Sequence, residues 1–229
     1  MSPLSLICRL LLILGALSLQ ACATMHTYSA KPITATVVDA ETGEPLEGVN
    51  VVAHWVLRNR MTWGGVGDLE LLETVTDKNG KFHFQGWEGK IPWALGPYET
   101  RLSNEDPAMI FFKNGYKPSG VGNDLQPERL RDENHTWERY SDWEGKVIKL
   151  EKFKGDPAWY GFGITTGLGS GIKCHWKKIP RFYVALMEER ERLSKLGIRS
   201  VLPNMEHLEN SFKNSGCGSA AEFFKEYLR

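Results

Sequence analysis

The clearest alternation in the chain runs from Val49 to Arg58. Val49, Val51, Ala53, Trp55 and Leu57 fall on one side of an extended backbone, and Asn50, His54 and Arg58 on the other. Side chains that switch sides at every residue belong to a strand with one face on a core. A single strand leaves its backbone unpaired, so this segment needs partners, and the chain supplies them. Ile33, Ala35 and Val37 alternate with Thr34 and Thr36. Leu69 to Thr76 reads as a less regular strand in which Glu73 interrupts the apolar set. Asp77-Lys78-Asn79-Gly80 is hairpin chemistry, with Asn-Gly where positive φ is needed. Lys81 to Gln85 follows with Phe82 and Phe84 inward and His83 outward. Ala108 to Phe112 is wholly apolar, which predicts a strand covered on both faces. Gly145 to Phe153 places Ile148 and Leu150 inward, with Lys149 and Glu151 outward. Short strands joined by turns predict a mainly β fold, an antiparallel sandwich.

The turns also carry a family resemblance. Val38-Asp39-Ala40-Glu41-Thr42-Gly43-Glu44-Pro45-Leu46-Glu47-Gly48-Val49 resembles the first hairpin of carboxypeptidase regulatory-like domains. Thr74-Val75-Thr76-Asp77-Lys78-Asn79-Gly80-Lys81-Phe82 resembles their second signature, and Gly115-Tyr116 and Val147-Ile148-Lys149-Leu150 fit the same order. The match spans residues 31–153, with insertions at 86–107 and 114–144. It implies a transthyretin-like β-sandwich in a family that is mostly non-catalytic. One enzymatic branch of that fold, the hydroxyisourate hydrolases, ends in Tyr-Arg-Gly-Ser. This sequence reads Glu226-Tyr227-Leu228-Arg229 there.

Residues 154–229 change style. Trp159-Tyr160-Gly161-Phe162-Gly163 and Gly167-Leu168-Gly169-Ser170-Gly171 form a Gly/aromatic connector. Pro180 to Leu196 predicts a helix, with Pro near its start and Gly197 at its end. Phe182, Leu186, Leu193 and Leu196 form its expected buried stripe. Shorter helices are expected at Pro203 to Phe212 and Ser219 to Leu228, completing a small C-terminal helical region.

At the other end, Arg9 precedes the uncharged run Leu10 to Leu19, and Leu19-Gln20-Ala21-Cys22 follows. A cation, an apolar stretch of about 7–15 residues and a small residue make an export signal. It is too short to cross a bilayer, which takes about 20 apolar residues. The last four residues resemble the bacterial lipoprotein signal. The resemblance implies residues 1–21 as signal peptide, cleavage after Ala21, acylation of Cys22, and residues 22–30 as a lipidated tether. Ala23 after the cysteine implies the outer membrane, facing the periplasm. Two or more acyl chains are what turn marginal membrane binding into a stable anchor.

The remaining cysteines, Cys174 and Cys217, are read as one disulfide, because an exported chain folds in an oxidising compartment. The rival reading makes Cys174 a nucleophile beside His175. A disulfide closing about 44 residues stabilises by roughly 4 kcal/mol on the chain-entropy argument.

Lys+Arg and Asp+Glu both number 28, so no charge excess draws the chain to nucleic acid. No cofactor motif is present: Gly167 to Gly171 lacks the Gly-Lys-Ser/Thr ending of a phosphate loop. His54 and His83, both outward on their strands, amount at most to half a metal site, and no His-x-His or Cys-x-x-Cys spacing supports one. Asp132, Glu133 and Glu138 are read as a solvated loop surface in preference to an acid and base. Trp87, Trp93, Trp137 and Trp143 stand on the insertions. They serve either as a platform for a glycan or protein, or as a roof over the open edges of the sandwich. The sequence therefore points to a membrane-anchored envelope protein, not an enzyme, with a binding or structural role. The alternatives are a glycan-binding module, and a hydrolase whose site would bring His54, His83 and acidic groups into one cleft.

Overall fold

The computed structural model describes residues 27–59, 62, 65–90, 100–102, 106–123, 141–157, 159–160, 174–212 and 215–228. The described strands are β1 (Tyr28–Ala30), β2 (Ile33–Asp39), β3 (Asn50–Asn59), β4 (Gly65–Val75), β5 (Lys81–Phe84), β6 (Trp87–Lys90), β7 (Thr100–Leu102), β8 (Ala108–Phe112), β9 (Ser119–Val121) and β10 (Val147–Leu150). A 3-10 turn at His175–Lys177 leads into α1 (Pro180–Lys195), α2 (Met205–Phe212) and α3 (Ala220–Phe224). The larger sheet runs β4-β3-β8-β9, with β7 also paired to β3; the smaller runs β10-β2-β5; and β1 pairs with β6. The architecture is a β-sandwich with a small helical part.

The two sheets share an interior made by the inward residues. Val51, Ala53 and Trp55 of β3, Phe82 and Phe84 of β5, and Met109 and Phe111 of β8 pack with Ile33, Val37 and Leu150, and Ile148 lies partly buried against them. Phe82 contacts both Phe84 and Phe111 edge-on, at 5.8 and 6.0 Å between ring centres. One expectation is corrected. β10 pairs with β2 in parallel, Val147 opposite Thr36 through Leu150 opposite Asp39. A parallel pair cannot be closed by a hairpin and needs a long connection, and here β3 to β9 intervene between the two strands in chain order.

Two turns lock this register. Asp77 Oδ1 accepts from the N–H groups of Asn79 and Lys81, while Gly80 sits at φ 70° and its carbonyl accepts from Val37. A Cβ at Gly80 would meet the Val37 carbonyl oxygen at 2.3 Å, so the position needs glycine on two grounds. Asp39 organises the other turn. Its Oδ1 accepts from the N–H groups of Glu41 and Thr42, and its Oδ2 from the Tyr116 hydroxyl at 2.8 Å, with Lys152 3.2 Å away. Those donors, the Glu41 amide foremost, hold the Asp39 carboxyl far below the usual carboxylate range. Burial, with Asp39 as neighbour, pushes Tyr116 up to about 12.

The outward face of the larger sheet is a second interior. Val52, Leu71, Ile110 and Phe112 join Trp176, Phe182, Tyr183, Leu186 and Leu193 in one buried cluster. The α1 helix closes it, with Phe182 edge-on to Phe112 at 6.1 Å. The expected stripe needs one correction: Leu196 is 60% exposed. Helix α1 ends at Lys195, the chain reverses through Gly197 at φ 74°, and Ile198 packs against the cluster instead.

Candidate functional site

Between that outward face and the 175–183 segment lies a group of buried polar residues that includes His54, Asp68, His175 and Tyr183. His54 belongs to β3 and has the outward parity expected of it, yet it is only 6% exposed. Its expected place on a solvent face is therefore corrected: the outward side of this sheet carries a cover. The register sets Asp68 of β4 opposite Val56 beyond a bulge at Trp55/Val56, which brings its carboxylate to His54. His54 Nε2 bonds Asp68 Oδ1. Asp68 Oδ2 is buried and has no hydrogen-bond partner among the described residues. From the cover, His175 Nδ1 and the Tyr183 hydroxyl share a hydrogen bond of 3.0 Å, their rings stacked at 28°.

His175 feels both members of the pair beneath it. Burial holds its imidazole below the ordinary 6.5; the Asp68 charge works against that and the His54 charge with it. Burial also pushes Tyr183 up to about 12, so its hydroxyl stays a neutral donor.

The neighbouring contacts bolt the same junction. Glu73 of β4, the residue that breaks the apolar pattern, accepts from the backbone N–H groups of Arg181 and Phe182, each at 2.9 Å. It thereby satisfies two amides at the start of α1 that no intrahelical carbonyl can reach. Burial raises its carboxyl above the ordinary 4.5, and the two amides restrain the rise. Glu70 bonds Lys90 of β6 and reaches Lys178 at 3.1 Å. Lys90 lies 5.2 Å from the centre of the Trp87 ring, and burial together with Lys178 draws its ammonium below the ordinary 10.5. Cys174 and Cys217 are bonded, with Cα atoms 5.5 Å apart. The bond joins the residue before the His175 turn to the segment before α3, whose Phe224 packs 5.8 Å from Trp176. Cys174 holds φ 61°, a left-handed conformation that costs a residue with a Cβ on the order of 1–2 kcal/mol.

No family model matches the sequence, and no curated protein is found similar to it. Among solved structures the chain is similar to a 9R-lipoxygenase from Cyanothece PCC8801. The identity is 17%, over 56% of this chain and 17% of that one, with a TM-score of 0.27. So loose a superposition carries no argument about fold or chemistry.

The residues singled out from the sequence have dispersed. His83 is exposed on the opposite sheet, 2.8 Å from the Thr34 hydroxyl, and does not join His54. Among the described residues no group of three or more His, Cys, Asp or Glu could hold a metal ion. Trp143 is 4% exposed; its Nε1 donates to the Pro107 carbonyl at 2.9 Å and its ring lies 6.1 Å from Phe111. It roofs the sandwich and offers no face for stacking a ligand. Trp87 is half-buried, edge-on to Trp55 at 5.5 Å. Cys22, Trp93, Trp137, Asp132, Glu133, Glu138 and Gly167 to Gly171 lie outside the described residues. Asp68, Glu73 and Tyr183 were not expected at a site. The signals that pointed to them were the acidic break at Glu73 and the demand of Ala108 to Phe112 for a second cover.

Proposed function

We propose that the protein is exported, anchored in the cell envelope through acylated Cys22, and acts there by binding or structural support without catalysis. The observation that carries this reading is the Cys174–Cys217 bond, with Cα atoms 5.5 Å apart. Such a bond persists in an oxidising compartment and is rare in a reducing one, which agrees with the export features around Cys22. The transthyretin-like family resemblance of residues 31–153 supports a module that positions other molecules. The use of His54 and Asp68 inside a buried junction supports the same reading. The partner on this view is the membrane, through the lipid, together with an envelope protein. The glycan alternative rests on Trp residues of which Trp143 is enclosed and Trp87 shows only part of its ring.

Intact-mass and peptide analysis of the chain recovered from membranes tests the reading. An N-terminal Cys22 carrying acyl groups, with a linked Cys174–Cys217 peptide, is the expected result. A soluble chain retaining residues 1–21, or free thiols at both positions, would overturn it. Hydrolysis of envelope material that disappears in His54→Ala would replace the binding role with catalysis.

A further inference from the structure

We infer that, given the Cys22 anchor proposed above, the ribbon of β1 and β6 is the edge of the protein held against the bilayer. There Lys31, Lys90 and Lys178 meet anionic phospholipid headgroups.

The tether decides which edge can do this. Five residues separate Cys22 from Tyr28, the first residue of β1. That length reaches at most about 22 Å fully extended, and a flexible chain of the same length averages about 13 Å end to end. A globular chain of about 200 residues has a radius of gyration of about 16 Å and is roughly 40 Å across. The ribbon therefore cannot be turned to the far side of the molecule while Cys22 stays at the membrane. The opposite end is marked by β2, which starts beside the ribbon at Ile33 and ends at Asp39, a rise of about 20 Å. Lys152, paired with Asp39, and Lys154, paired with Glu41, stand at that end.

The ribbon also has the chemistry of a lipid boundary. Tyr28 lies opposite Lys90, and Ala30 opposite Trp87. Tyr28 and Trp87 are half-buried, and Lys31 beside them is exposed. Rings with one polar end and long cationic side chains collect where headgroups meet water. Lys90 and Lys178 both bond Glu70, whose side chain is 8% exposed while theirs are 34% and 47%. One buried carboxylate thus holds two ammonium groups near the surface and neutralises only one of them. Lys31 adds a third cation and the exposed Glu88 a second anion, which leaves these five groups with an excess of positive charge. That sign suits an anionic headgroup. A small excess is enough, because the anchor supplies the affinity and keeps the ribbon at high effective concentration beside the lipid.

Amine footprinting of the acylated chain, seated in vesicles by its own anchor, tests the contact. A membrane-impermeant acylating reagent is applied on vesicles of phosphatidylethanolamine with phosphatidylglycerol, on vesicles of phosphatidylcholine, and in detergent. Flotation and intact mass of the same samples report the anchor separately. On the anionic vesicles Lys31, Lys90 and Lys178 should react more slowly than on phosphatidylcholine by about threefold, the gain of one net positive charge at an anionic surface. Lys152 and Lys154 should keep one rate throughout. Chains that float but label alike at both ends would overturn the contact and leave the anchor standing. Equal protection on the two kinds of vesicle would overturn the pairing with anionic headgroups. Protection already present in detergent, and growing with protein concentration, would give the ribbon to a second copy of the chain instead. A chain that carries no acyl group and does not float would overturn the anchor and the contact together.

Discussion

On the outward face of the smaller sheet stand Thr34, Lys81, His83 and Lys149, all exposed. On the outward face of the larger sheet stand Val52, Leu71, Ile110 and Phe112, none more than 5% exposed. Both sheets turn apolar residues toward the shared interior, so the inner faces alone do not distinguish them. The outer faces do. A strand of alternating character can meet water on one side, whereas the continuous apolar run of β8 must be buried on both. The C-terminal region is what buries it. The protein thus has two interiors, and the segment from Cys174 to Leu228 exists in this fold as the second wall of the outer one.

The largest expected effect tests whether that outer cluster is a true core. Phe112→Ala should cost about 3–5 kcal/mol in a denaturant melt, as much as Phe84→Ala on the inner face. A cost near that of a surface change would mean the cover is loosely held. Next comes the staple. Cys174→Ser with Cys217→Ser should cost roughly 2–4 kcal/mol, with exchange protection lost in α3 and at Trp176 before it is lost in β2 and β5. Loss of protection across both sheets at once would merge the two interiors into one cooperative unit. The helix cap is smaller: Glu73→Ala should cost about 0.5–2 kcal/mol and fray the first turn of α1. The smallest effect lies on the open face, where His83→Ala should stay within about 0.5 kcal/mol. If His83→Ala proved as damaging as Phe112→Ala, the contrast between the faces would be lost.

The inner core was legible because it depends on local alternation. Val51, Ala53, Trp55, Phe82, Phe84 and Leu150 follow from period two, and the Asn79-Gly80 turn sets their register. The need for a second cover was also legible in Ala108 to Phe112. What covers it was not. The backbone amides bound by Glu73 belong to residues 108 and 109 positions further on, a separation that no local pattern spans. His54 shows the same limit. Its parity is outward, as alternation requires, but whether outward means water depends on a segment folded back from the far end of the chain. The parallel entry of β10 escaped for a related reason, since direction is a property of the crossover and not of the strand.

The central claim is that the outward face of the larger sheet and α1 form one packed interior, and a double-mutant cycle on Phe112 and Phe182 tests it most directly. The rings meet edge-on at 6.1 Å. Phe112→Ala, Phe182→Ala and the double variant should show a coupling of about 0.5–3 kcal/mol in denaturant melts. Losses that add to within about 0.3 kcal/mol would contradict the shared interior.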